Sequence, residues 1–302
     1  MTNRHEAGLY REIASMATEL RESCAAAAAL AIATTALGQA SFTYDDVVSD
    51  VPGDTFMETV GDFTVQSLTW SGIDLASNAS GSFLSELRIG FTSPSNGLIQ
   101  VQAGADDAWD GFRNVSGWSN AHAGTSALGD WSFNFTESFD DDGIDAIYSS
   151  ATVNINDTMF PDAANIGVGM HDAVLTKGGL LFFLYNHAGG AASFSTLGSD
   201  LTDNGGGFAD DDTELAIFDG AGNLVAENDD EDFDNDILTS YIEFDDLAAG
   251  QYAVVVGAFE TFFNDGLAVT GHDAQGDIKL TVVPTPAALT VLPALALLRR
   301  RR

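Results

Sequence analysis

The sequence predicts an all-β protein of two β-sandwich, jelly-roll-like domains, flanked by an N-terminal signal helix and a short C-terminal hydrophobic helix. Three observations predict it. Segments that alternate apolar and polar residues at period two recur along the chain, separated by clusters of Gly, Asn, Asp and Ser. No long helical period appears between Ser41 and Val282. Near the middle, "NDTMFPDAAN" interrupts the alternation with Pro161 and two asparagines, which puts a domain boundary at about residue 160.

Residues 1–40 come first. "MTNRHEAGLYREIASMATELRESC" is polar and mixed in charge, and "AAAAALAIATTALGQA" is an Ala-rich apolar run closing on small residues. This is the layout of a secretory signal peptide cleaved after Ala40. Composition changes at Ser41, from Ala-rich to Asp-, Gly- and Phe-rich, and the one cysteine, Cys24, lies inside the leader. The expected mature body therefore has no disulfide and depends on its apolar cores or on metal.

Residues 41–160 form the first expected sandwich. Its strands are "GDFTVQSLTWSGI", "SELRIGFTS", "GLIQVQAG", "GDWSFNFTESF" and "IYSSATVNIN". The stretch "DDAWDGFRNVSGWSNAHAG" reads as a Gly/Asn/Ser-rich loop holding Trp109, Phe112 and Trp118. A loop tryptophan can stack on a sugar face or a partner's apolar surface, or it can plug the end of the sandwich.

Residues 161–283 form the second. "GGLLFFLYNHA", "TELAIFDGAGNLVAEND", "LTSYIEFDDL", "GQYAVVVGAFE" and "GDIKLTVV" read as strands, with "DGAGN" as a hairpin turn. This half has its own apolar residues and is expected to fold alone. Residues 284–302 form a tail. Pro284 and Pro286 break it from the body, "AALTVLPALALL" is apolar, and Arg299, Arg300, Arg301 and Arg302 follow. Twelve helical residues reach about 18 Å against a hydrocarbon core of about 30 Å, which suits transient insertion better than permanent anchoring.

The tail resembles the PEP-CTERM sorting signal of bacteria with extracellular matrix systems. Val283, Pro284, Thr285 and Pro286, the apolar run and the Arg cluster carry the resemblance, and Thr285 stands where the family usually has Glu. It implies export, brief membrane insertion of the tail and processing by an exosortase-type enzyme. The second half resembles the bacterial pre-peptidase C-terminal domain, a small jelly-roll module of secreted and surface proteins. That likeness rests on Asp212-Thr213-Glu214-Leu215, Phe218-Asp219, Gly222-Asn223-Leu224, Asn228-Asp229-Asp230 and Leu247 to Val256, with "SDLTDNGGGFADD" and "ETFFNDGLAVTGHDAQ" as insertions. "LGDWSFNFTESFDDDGIDA" is similar to the closing strand of the proprotein-convertase P-domain jelly roll.

Charge narrows the functions. The chain has 45 acidic and 11 basic residues; setting aside the leader and Arg299–Arg302 leaves 41 acids against Arg88, Arg113, Lys177 and Lys279. Such a surface repels phosphate backbones and anionic lipid, so nucleic acid is excluded as a partner. Clustered carboxylates instead suit a hard divalent cation, calcium above all. The candidate ligands are Asp210, Asp212, Asp219, Asp229, Asp230, Asp232, Asp234 and Asp236, most of them flanking the expected hairpin Glu214 to Ala226. A separate acidic run spans Asp140 to Asp145. Asp232, Asp234 and Asp236 have calcium-loop spacing with Glu243 at the twelfth place, but Ile237 stands where an EF-hand needs Gly.

There is no HExxH, GxSxG, P-loop or GxGxxG, and the body's histidines, His122, His171, His187 and His272, are far apart. The sequence thus points to a non-catalytic exported protein of the cell surface or extracellular matrix that binds calcium, with extracellular polysaccharide or surface proteins as partners. The alternative is a carbohydrate-binding module using Trp109 and Trp118.

Overall fold

The computed structural model describes residues 38–77, 83–105, 112–139, 146–202, 211–231 and 237–284. The first half supplies β1 (Gln39–Ser49), β2 (Thr55–Val60), β3 (Ser67–Ser77), β4 (Leu87–Ser93), β5 (Gly97–Gln102), β6 (Phe112–Ser119), β7 (Gly129–Glu137) and β8 (Ala146–Asn156). The second supplies β9 (Ala164–Ile166), β10 (Gly169–Leu175), β11 (Leu181–His187), β12 (Gly190–Ser195), β13 (Asp200–Thr202), β14 (Thr213–Asp219), β15 (Leu224–Asn228), β16 (Tyr241–Leu247), β17 (Gly250–Ala258), β18 (Phe262–Asn264), β19 (Leu267–Thr270) and β20 (Gln275–Pro284). Among the described residues the helical structure is one 3-10 turn, Leu84–Glu86. The expected terminal helices lie outside the described residues.

Four sheets make two sandwiches. The order β2-β7-β4-β5 faces β1-β8-β3-β6-β19-β18, and β15-β14-β17-β11-β9 faces β10-β20-β12-β16, with β13 on β20. The alternation seen in the sequence fills the first core. Phe42 and Tyr44 on β1 meet Phe133 and Phe135 on β7, and Trp70 meets Phe91 at 6.0 Å between ring centres. Leu175, Phe183, Phe194, Leu215, Ile217, Val254, Val256, Ile278 and Leu280 fill the second core.

The described residues all belong to one compact unit. Two features bind the sandwiches to each other. The β18–β19 hairpin, in what reads as an insertion of the second half, pairs with β6 of the first. A third apolar cluster, with Trp118, Phe160, Ala216, Phe218, Ala253, Val255, Phe263 and Ala268, packs where they meet. This explains "YAVVVGA": Val254 and Val256 of β17 face one core while Ala253 and Val255 face the other. A strand covered on both faces has no reason to alternate. β1 begins at Gln39, so Gln39 and Ala40, paired with Asn156 and Ile155, already belong to the sheet.

Candidate metal centre

The turn Asp219–Asn223 folds β15 back on β14 and pairs Leu215 with Asn228. One to three residues beyond that pair, on opposite arms, the flanking acids meet. One carboxylate oxygen from each of Asp212, Asp229 and Asp230 lies within 4.8 Å of the others.

Local bonding fixes both arms. Asp211 takes positive φ and exchanges two hydrogen bonds with Leu201, its N–H donating to the Leu201 carbonyl and its carboxylate accepting the Leu201 N–H, each at 3.1 Å. The Thr213 hydroxyl, fully buried, meets the Thr196 hydroxyl at 2.5 Å and accepts the Ser240 N–H at 3.2 Å. On the other arm, the Ser240 hydroxyl donates to the Asp229 carbonyl at 2.7 Å, and the Glu231 N–H to the Thr239 carbonyl at 2.8 Å. Asn228 braces the same loop: its amide donates to the Asp230 carbonyl at 3.1 Å, and its side-chain oxygen accepts the Tyr241 N–H at 2.8 Å.

Asp212 is 4 % exposed, and among the described residues its Oδ1 has no hydrogen-bond partner; neither has Oδ1 of Asp230 nor Oγ1 of Thr239. No Lys, Arg or His occurs between residues 200 and 260. Burial first, and then the charges of Asp229 and Asp230, push the Asp212 carboxyl up to about 7. Asp229 and Asp230 are also raised, chiefly by burial. Glu214, on the same side of β14 as Asp212 by the two-residue period, is a fourth acid in this field. Burial and then Asp229 push it up to about 9, against the opposing N–H bonds of Thr261 and Glu260. The donor set that the structure brings together is three carboxylates, all oxygen. A hard cation with six to eight oxygen ligands suits it, and calcium tolerates its irregularity better than magnesium.

The remaining candidates fall elsewhere. Asp219 sits at the far end of β14, roughly 20 Å along the strand from Asp212. It does not join the cluster; its carboxylate accepts the Ala221 and Asn223 N–H groups at 2.9 Å and the Asn223 amide at 2.8 Å. Burial acts to raise it, and the Asn223, Ala221 and Gly222 bonds outweigh that and hold it below the usual carboxylate range. Asp210, Asp232, Asp234, Asp236 and the run Asp140 to Asp145 lie outside the described residues. Glu243 is exposed within β16, paired with Ser193, so the frame of an EF-hand is not formed.

Trp118 is a correction. It is not on a loop and faces no solvent: β6 is an inner strand of the six-stranded sheet, and Trp118 is fully buried in the inter-sandwich cluster, its indole N–H donating to the Met159 carbonyl at 2.6 Å. It cannot stack on a sugar. Trp109 lies outside the described residues. Val283 and Pro284 end β20, and Thr285, Pro286 and Arg299 to Arg302 lie outside the described residues. The histidines occupy separate places. His122 is buried against Trp131, His171 lies on β10, and His187 contacts Tyr185. His272 packs on Phe259.

No family model matches the chain, and no curated protein matches it. Solved structures resemble it distantly. The serine protease of Aeromonas sobria is 12% identical with a TM-score of 0.27, covering 38% of this chain and 26% of that one. The CBM22-1-CBM22-2 tandem of Paenibacillus barcinonensis Xyn10C is 11% identical with a TM-score of 0.27, covering 82% and 88%. A putative secreted protein from Eubacterium rectale is 10% identical with a TM-score of 0.19, covering 76% and 69%. At such scores the likeness is one of strand-rich architecture, and no function follows from it.

Proposed function

We propose that this chain is a non-catalytic exported protein of the cell surface or extracellular matrix, and that a calcium ion bound by Asp212, Asp229 and Asp230 stabilises it. One observation carries the metal reading: a nearly fully buried carboxylate, Asp212, has an oxygen without a partner among the described residues, beside two further carboxylates, with no cationic side chain in the surrounding sequence. Leaving such a group charged and unpaired is costly, and a divalent cation removes the cost. Glu214 adds further negative charge to this field. Export and sorting by an exosortase-type enzyme rest on the signal-like leader and the tail residues Val283 to Pro286 and Arg299 to Arg302. With Trp118 buried, the glycan-binding reading loses half of its basis.

The test is thermal unfolding in chelator, calcium, magnesium and sodium at matched ionic strength. At calcium one hundred times its dissociation constant the linkage is about 2.7 kcal/mol. That corresponds to a rise of roughly 5–10 °C for a body of this size. Asp229→Ala with Asp230→Ala removes most of the rise. Equal shifts in all three salts would mean screening of surface charge and no site.

A further inference from the structure

The outer face of the β10-β20-β12-β16 sheet gathers several exposed apolar side chains at one end. Met170 and Val174 point outward from β10 and are each 63% exposed; Val168 beside them is 59% exposed and Val283 on β20 is 45%. Register brings them together. Gly169 pairs with Val282 and Met170 with Thr281, so Val168 and Val283 adjoin at one end of the stripe. At the other end Val174 pairs with Asp277, Asp277 also pairs with Asp200, and exposed Asp172 lies one outward position before Val174. A shallow groove between Asp172, Ala173, Val174, Asp277 and Lys279 runs along that end. Val168, Met170 and Val283 adjoin as a small apolar patch, and Val174 lies beyond the Asp172–Lys279 pair; contiguous exposed apolar surface is where a contact forms.

We propose that residues 287–298 of this same chain seat on the stripe and that Arg299–Arg302 meet Asp172, Asp200 and Asp277. Connectivity, length and charge argue for this occupant. β20 ends at Pro284, beside Val168, and three steps to Ala287 span roughly 9 Å. From there a segment turning back along the face runs from the Val168 end towards Val174, about 20 Å of strand. The twelve residues of "AALTVLPALALL" reach at least about 18 Å even if helical. Their end falls at the carboxylates, and the next residues are four arginines. The apolar part covers apolar side chains, and the basic part arrives where three carboxylates, Asp172, Asp200 and Asp277, outnumber one cation, Lys279, which pairs across from Asp172. This seat keeps the segment out of water until a membrane or a processing enzyme takes it. The proposal is independent of the metal site.

Met170 provides the readout, and Met57, 70% exposed on the other sandwich, the internal standard. The two should be oxidised by dilute peroxide at nearly equal rates if both are open, since susceptibility follows exposure. In the full chain Met170 is expected to be oxidised about five-fold or more slowly than Met57. Leu289→Asp with Leu295→Asp should bring it to the Met57 rate. So should replacing the four arginines, Arg299→Glu through Arg302→Glu, with intrinsic tryptophan emission confirming that the body stays folded. Equal rates in the unaltered chain would overturn the proposal. Protection that ignores both tail variants and falls on dilution would also overturn it, in favour of a second copy. Protection that arises only with phosphatidylcholine vesicles would overturn it in favour of a lipid surface.

Discussion

Asp212 shows how one side chain can be both a cost and a function. Its carboxyl lies near 7 when folded against an ordinary 3.8, so between those values the folded chain holds a proton that the unfolded chain has lost. Glu214 extends the same imbalance towards 9. Stability falls with pH wherever the folded state binds more protons. In chelator, therefore, the urea midpoint should fall from pH 5 to pH 9, and saturating calcium should flatten or reverse the trend. A midpoint that rises with pH in chelator would contradict the cluster. Asp212→Asn removes the buried charge while keeping its shape. It should stabilise the metal-free protein at pH 8 by about 1–3 kcal/mol and abolish most of the calcium shift, both read from melting curves. The sequence contained the cluster, because acids flanking a hairpin must meet at its open end. Asp219 stood among the candidates although the turn "DGAGN" already put it at the closed end of the hairpin, away from Asp212. Glu214 closes the acidic run from Asp210 but was not among the candidate ligands, although its two-residue offset from Asp212 is the signal that places both on one side of β14.

At the scale of elements, two tight turns and one asparagine hold the sandwiches together. The Asn120 N–H donates to the Gly266 carbonyl at 3.0 Å, and its amide donates to the Ala221 carbonyl at 3.0 Å. The Gly266 N–H donates to the Gly222 carbonyl at 3.0 Å, and the Asp265 carboxylate accepts the Leu224 N–H at 3.0 Å. Gly266 takes φ +68°, and a Cβ there would collide with the Asn120 side chain. Gly266→Ala is thus expected to cost about 2–4 kcal/mol, from the disfavoured backbone region together with the steric conflict, measured as a lowered denaturant midpoint. Asp219→Ala, which frees three donors of the turn, should cost about 1–2 kcal/mol and leave the calcium shift intact. The hairpin β14–β15 and the strands β16, β17 and β20 were readable because period, turn and length agreed. β18–β19 was not, although Asp265-Gly266 is a known hairpin signal. Its arms are too short to show a period, and their partner, β6, lies about 150 residues earlier in the chain. β6 itself was hidden by the Gly, Asn and Ser around Trp118, and β10 by the apolar residues on its outer face.

At the scale of the molecule, the sequence supports two modules, whereas the structure has two sandwiches with one joint interior. A fragment of residues 162–283 would carry β18–β19 without β6 and would expose Ala216, Phe218, Ala253, Val255 and Phe263, which pack on Trp118. It is expected to aggregate or to melt without a cooperative transition, and a sharp reversible melt would show that the inter-sandwich cluster is dispensable. The intact body should instead unfold as a unit, and its tryptophans offer the means to test this. Trp70, Trp109, Trp118 and Trp131 all lie in the first half, whereas Asp212, Asp229 and Asp230 lie in the second. Circular dichroism reports the strands of both. If the shared sheet and the Trp118 cluster transmit stability, calcium bound beside β14 raises the tryptophan-detected transition by as much as the dichroism transition, because in a two-state system every probe reports one equilibrium. If the halves were separately stable, calcium would move only the part of the dichroism change due to the second sandwich, and tryptophan emission would stay where chelator leaves it. Trp118→Ala then acts as a second handle. It empties a large volume where Phe160, Phe182 and Phe218 meet its ring, so it should cost about 3–5 kcal/mol and split the two transitions. In that variant calcium should protect the second sandwich alone.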